Sequence, residues 1–126
     1  MPSVFAHSIA AIAMGKMATF KQSKPGWLFW VLSMFCASIP DADVLLHRFG
    51  VRYADMFGHR GFTHSLFFAL FLGITISLIF YRKKQLGYYS LYFSLVTLSH
   101  PLLDACTNGG LGVALWAPFS AERFFF

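Results

Sequence analysis

From Thr63 to Tyr81 the chain carries no Asp, Glu, Lys or Arg, and its only ionisable side chain before the terminal tyrosine is His64 at the entrance. A helix rises about 1.5 Å per residue, so a run of this length reaches close to the roughly 30 Å of a bilayer's hydrocarbon core. Such a segment is either a membrane span or the centre of a large soluble core. A chain of 126 residues has too much surface to bury that much apolar side chain within itself. The composition agrees: 57% of residues are hydrophobic and 12% charged, where a soluble domain carries about 25% charged residues. Lipid is the expected solvent, with the many Phe, Trp and Tyr rings also expected at its boundary with water.

Three further apolar segments surround this run: Val4 to Phe20, interrupted by His7 and Lys16; Trp27 to Ile39, stopped by Pro40; and Leu86 to about Ala105, with Pro101 inside. Backbone in lipid must satisfy its own hydrogen bonds, which makes helices the default. The expected fold is all-α, an integral-membrane bundle of about four hydrophobic helices, some of them short or broken. Thr63–Tyr81 is read as the full-length span, Leu86–Ala105 as comparable, and the first two as short. The chain is read as one membrane-embedded domain over residues 1–126.

The net charge is +5. Nucleic-acid binding needs a basic face or stripe, whereas these cations fall in short clusters between apolar runs: Lys16, Lys21 and Lys24, then Arg82, Lys83 and Lys84. No nucleic-acid partner is expected. With the N-terminus outside, both basic loops fall in the cytoplasm, as the positive-inside rule requires, and Asp41–Phe62 lies on the outer side. Cys36 and Cys106 form no CxxC pair and read as small hydrophobes. The N-terminus lacks the basic region of a signal peptide.

The basic loops alone set this threading, yet it brings His7, Asp41, Asp43, His59, His64, His100 and Asp104 to one membrane face. His100 and Asp104 share a helical face, with Pro101 expected to break the helix beside them. In PDAD, Asp41 and Asp43 converge on an extended turn and diverge on a helix. In HRGFTHS, Gly61 is expected to interrupt the run, leaving His59 and Arg60 in a loop, Thr63 as helix cap and His64 in the first turn. Arg60 reads either as a clamp for phosphate or carboxylate or as a cation snorkelling to the headgroups. His7 alone reads as a packed histidine, and His47 as chemically idle. Asp55, Ser65 and Asn108 are candidate supporting groups.

An ionisable group inside a membrane segment costs about 2.5–3.5 kcal/mol for Asp at a helix centre. Several gathered at one face must compensate one another, and a shared divalent cation does so. Imidazoles and carboxylates without thiolate fit catalytic zinc, a dimetal site or manganese. An open coordination position would make a hydroxide nucleophile from water.

FAHSIAAIAMG, SIPDADV, GHRGFTHS, SHPLLDACTNGG and WAPFSAERFFF together resemble the predicted inner-membrane, metal-dependent hydrolases of the LexA-regulated YdjM-like group. The resemblance covers nearly the whole chain. It implies a small multi-helix protein of the bacterial inner membrane and, through a distant similarity of that family to zinc-dependent phospholipase C, a phosphoester-type, lipid-like substrate. It also implies His7, Asp41, Asp43, His64, His100 and Asp104 as metal ligands; the donor set puts zinc first and manganese second. His59 and Arg60 are added as catalytic candidates with Asp41 and Asp43. The family continues past the RFFF stretch, so a truncated gene or fragment is one reading of the end at Phe126. The competing expectations are a metal-ion transporter and a non-catalytic membrane protein with a structural metal.

Overall fold

The computed structural model describes residues 4–19, 24–83, 85–107 and 110–126. Phe20, Lys21, Lys84 and Asn108, each named above, lie outside these residues. Among the described residues the chain is all-helical, with four α-helices and no strand. These are α1 (Val4–Thr19), α2 (Trp27–Ser38), α3 (Leu66–Phe80) and α4 (Leu86–Ala105). A 3-10 helix over Ile39–Phe49 continues α2 directly, and a short 3-10 turn over Phe62–His64 precedes α3.

Helix α4 packs against α1, α2 and α3, most extensively against α3. Its contact with α3 is made by small residues. A Cβ on Gly73 would lie 2.4 Å from the Ser94 backbone nitrogen and 2.7 Å from its Cα, so only glycine lets the two backbones approach this closely. Phe29, Leu32, Cys36, Ala37, Tyr92, Phe93 and Val96 fill the centre with Ala11 and Ile76. The outer faces carry exposed Ile9, Met17, Phe71, Ile79, Leu91 and Leu95, while among the described residues seven His, Asp and Arg side chains are buried: His7, Asp43, His59, Arg60, His64, His100 and Asp104. This distribution inverts that of a soluble domain, in which charged groups face outward.

Three expectations need correction here. The segment Thr63–Tyr81 is not one helix: residues 62–64 form the 3-10 turn, and α3 has 15 residues, about 22 Å at 1.5 Å per residue. The described helix long and apolar enough to cross a membrane is instead Trp27–Phe49, 23 residues made of α2 and its 3-10 continuation. Pro40 sits near the start of that continuation, where a missing N–H costs little, so it redirects the helix rather than ending it. Likewise Pro101 does not break α4, which runs through it to Ala105. Pro101 is buried and lies close to the helix end, so packing outweighs one lost backbone hydrogen bond.

The C-terminal segment 110–126 folds back over the loop before α3. Val113 and Phe124 exchange two backbone hydrogen bonds of 2.9 Å. The Ala114 amide donates to the Arg60 carbonyl at 3.0 Å, and the Leu66 amide donates to the Leu115 carbonyl at 3.0 Å.

Candidate metal centre

The C-terminal end of α2, the start of α3 and the C-terminal end of α4 meet at one end of the bundle, and His7 joins them from the first turns of α1. There the side chains of Asp41, His64, His100 and Asp104 each offer one ligand atom within 4.8 Å of all the others. His64 Nε2 lies 3.7 Å from Asp41 Oδ1 and 3.5 Å from Asp104 Oδ2. His100 Nε2 lies 3.2 Å from Asp41 Oδ1 and 3.8 Å from Asp104 Oδ2. Zinc bonds of about 2.0–2.2 Å in a tetrahedron would set neighbouring ligand atoms about 3.3–3.6 Å apart. The four spacings bracket that range.

The hydrogen bonds on the far side of each ring fix which nitrogen faces the group. His100 Nδ1 lies 2.6 Å from the Ala37 carbonyl, which can only accept, so Nδ1 carries a proton, and Nε2, 3.2 Å from Asp41 Oδ1, is the nitrogen turned to the group. Thr63 Oγ1 donates to Asp43 Oδ2 at 2.6 Å. Its oxygen is therefore left to accept from His64 Nδ1 at 3.1 Å, and Asp43 Oδ2 lies 3.3 Å from the same nitrogen. Again Nε2 is the nitrogen turned to the group. A backbone carbonyl behind one imidazole and a carboxylate behind the other is the usual setting of metal-ligating histidines. Inside the group, His64 Nε2 is buried with no hydrogen-bond partner, as an atom aimed at a cation is; Asp104 Oδ2 also faces Arg60 Nε at 3.3 Å.

Burial alone would push the His64 imidazolium pKa down. The carboxylates of Asp104, Asp41 and Asp43 outweigh it and hold the value up at about 10. The site therefore demands positive charge, which a proton or a divalent cation can supply.

Asp43 stands apart from Asp41. Along a 3-10 helix residues two apart diverge, and the two carboxylates do so around His64. A second group, Asp43, His59 and His64, is bound by hydrogen bonds. His59 Nδ1 donates to Asp43 Oδ1 at 2.7 Å, and the Arg60 amide donates to Asp43 Oδ2 at 3.3 Å. Thr63 is a third donor to Asp43, and His64 Nδ1 lies 3.3 Å from its Oδ2. His59 is buried rather than interfacial. Arg60 neither snorkels nor faces outward: it is wholly buried, its Nε 3.3 Å from Asp104 Oδ2 and its Nη2 donating to Thr107 Oγ1 at 3.2 Å. His7 lies beside the four-residue group, its ring stacked on His100 at 3.7 Å and its Nε2 3.7 Å from Asp104 Oδ1. The helix cap is Ser65, whose hydroxyl accepts from the Phe68 amide at 3.0 Å; Thr63 serves Asp43 instead. Asp55 is exposed and bonded to the Arg52 amide, and His47 to the Val51 carbonyl, both away from the group.

Thr63 was expected only as a helix cap, and Thr107 and the Ala37 carbonyl had no expected role. A hydroxyl next to His64 was the available signal for the first. Nothing in the sequence marks a backbone carbonyl.

The family model described as YdjM inner membrane protein matches residues 1–126. The chain belongs to this family. It is 42% identical over 127 aligned positions to the inner membrane protein YbcI of Escherichia coli (strain K12), an alignment covering 99% of this chain and 72% of that protein. No solved structure matches. The YdjM family membership agrees with the apolar outer faces of the helices, and it places the buried His/Asp group in an inner membrane protein.

Proposed function

We propose that this YdjM-family chain is a membrane-embedded, metal-dependent hydrolase acting on a phosphoester-type, lipid-like substrate near the periplasmic face. The observation that carries the reading is the four-atom cage of Asp41, His64, His100 and Asp104, with both imidazole tautomers set from behind. Zinc is the best fit to two nitrogens and two carboxylate oxygens, with manganese the alternative. A bound ion supplies Lewis acidity, polarising a phosphoryl oxygen and acidifying water.

The chain's own side chains do the rest. Asp41 keeps 22% of its side chain exposed while His64, His100 and Asp104 are buried, so substrate approaches past Asp41. Asp43 orients His64 rather than acting as a base, since His59, Thr63 and the Arg60 amide already engage both its oxygens. Arg60 offsets the charge of Asp104 from beneath. The phosphoester class rests on the resemblance set out above. A metal carrier would need ligands continuing to the opposite end of the bundle, but among the described residues Lys16, Lys24, Arg82 and Lys83 are the charged side chains there, and these repel cations.

Elemental analysis of detergent-purified protein tests the cage. Wild-type protein is expected to carry zinc or manganese, and His64→Ala and Asp104→Ala to lose it. Hydrolysis of bis(p-nitrophenyl) phosphate and of phospholipid is expected to fall with the metal. Equal metal content in all three proteins would remove the basis of the proposal.

A further inference from the structure

Arg123 lies in the apolar C-terminal tail, between Glu122 and three phenylalanines. Its guanidinium is spread over four backbone carbonyls. Nη1 donates to His59 at 3.2 Å and to Gly112 at 3.4 Å. Nη2 donates to Tyr53 at 3.1 Å and to Asp55 at 3.3 Å. The guanidinium carbon also lies 5.8 Å from the centre of the Tyr53 ring. One planar fork thus ties the loop before α3 to itself and to the tail.

The place it grips is next to the metal group. His59, whose carbonyl Arg123 holds, donates through its ring to Asp43, and Asp43 stands behind His64. Arg60, the following residue, has φ 63°, a left-handed conformation that a non-glycine residue keeps only where its surroundings enforce it. Its carbonyl is held by the Ala114 amide from the same tail. Both peptide units that aim His59 and Arg60 are therefore fixed by the 110–126 segment.

We infer that Arg123 is a positioning residue for the metal group: it sets the backbone at His59 and Arg60, and through them the Asp43 carboxylate that orients His64. This rests on the proposed metal site. Lysine cannot replace it, because a single ammonium with three donors cannot span four carbonyls lying on both sides of a planar fork.

The test uses the full chain in detergent as wild type, Arg123→Lys and Arg123→Ala, with two readouts. The first is hydrogen exchange of metal-free protein. Arg123→Ala is expected to speed exchange of the Gly61, Phe62 and His64 amides tenfold or more, with central α4 amides unchanged. The second is titration with Co²⁺, whose visible bands report coordination geometry. Both variants are expected to bind it about tenfold or more weakly, with altered band intensity. Should Arg123→Ala also lose α4 protection, Arg123→Lys, which retains the charge, supplies the comparison. Unchanged loop exchange overturns the inference. So does faster loop exchange with wild-type cobalt affinity and spectrum, which would leave Arg123 a fold element only. Wild-type protein that takes up no cobalt overturns the metal reading itself, and with it the inferred role, while the exchange data still report separately whether Arg123 holds the loop.

Discussion

Asp43 accepts from His59, Thr63 and the Arg60 amide, and its Oδ2 also lies 3.3 Å from His64 Nδ1, so each of its oxygens faces donors alone. In Asp43→Asn one oxygen becomes an NH₂ that must point at a donor, whichever way the amide is turned. Metal affinity is expected to fall about 10–100-fold, with the four direct ligands untouched; isothermal titration with zinc measures it. His7 offers the converse experiment. Its ring stacks on His100 with an interplanar angle of 17°, but its nitrogens lie outside the four-residue group. His7→Phe keeps the stack and is expected to leave metal content unchanged. Loss of metal would make His7 a ligand, as the family resemblance implies.

Gly73 is where two helices touch backbone to backbone. Gly73→Ala puts a methyl group into the Ser94 main chain, and the forced separation of α3 from α4 is expected to cost about 1–3 kcal/mol. Gly87→Ala is the control: nothing lies within 4 Å of its added methyl, and alanine favours the helix by up to about 1 kcal/mol. Thermal unfolding in detergent should separate the two. The apolar runs made these helices legible, because hydropathy is a property of consecutive residues. Their ends were less so. That Ser65 rather than Thr63 caps α3 depends on Asp43 competing for the Thr63 hydroxyl, a contact across the fold. The 3-10 helix over Ile39–Phe49 was hidden by Pro40, which reads as a stop when judged locally. The gathering of Asp41, His64, His100 and Asp104 was legible only in outline: helix-end positions put them at one face, while the division of labour between Asp41 and Asp43 needed the turn geometry. The grip of Arg123 on the loop carbonyls had no sequence signal beyond a lone cation before three phenylalanines.

The bundle is polarised. Its His/Asp group occupies one end, and Lys16, Lys24, Arg82 and Lys83 sit toward the other. If the cations face the cytoplasm, as their attraction to the inner leaflet favours, the metal group faces the periplasm. The chain carries its own probe of this. Cys106 is exposed just beyond Asp104 at the end of α4, and Cys36 is buried among the helices. A membrane-impermeant maleimide added to spheroplasts is expected to label wild-type protein at once and to leave Cys106→Ser unlabelled. Labelling that appears only after the membrane is permeabilised would turn the molecule over and put the site, and any substrate it takes, on the cytoplasmic side. The buried Cys36 keeps the readout to one position, so the sign of the result reports the orientation of the whole bundle.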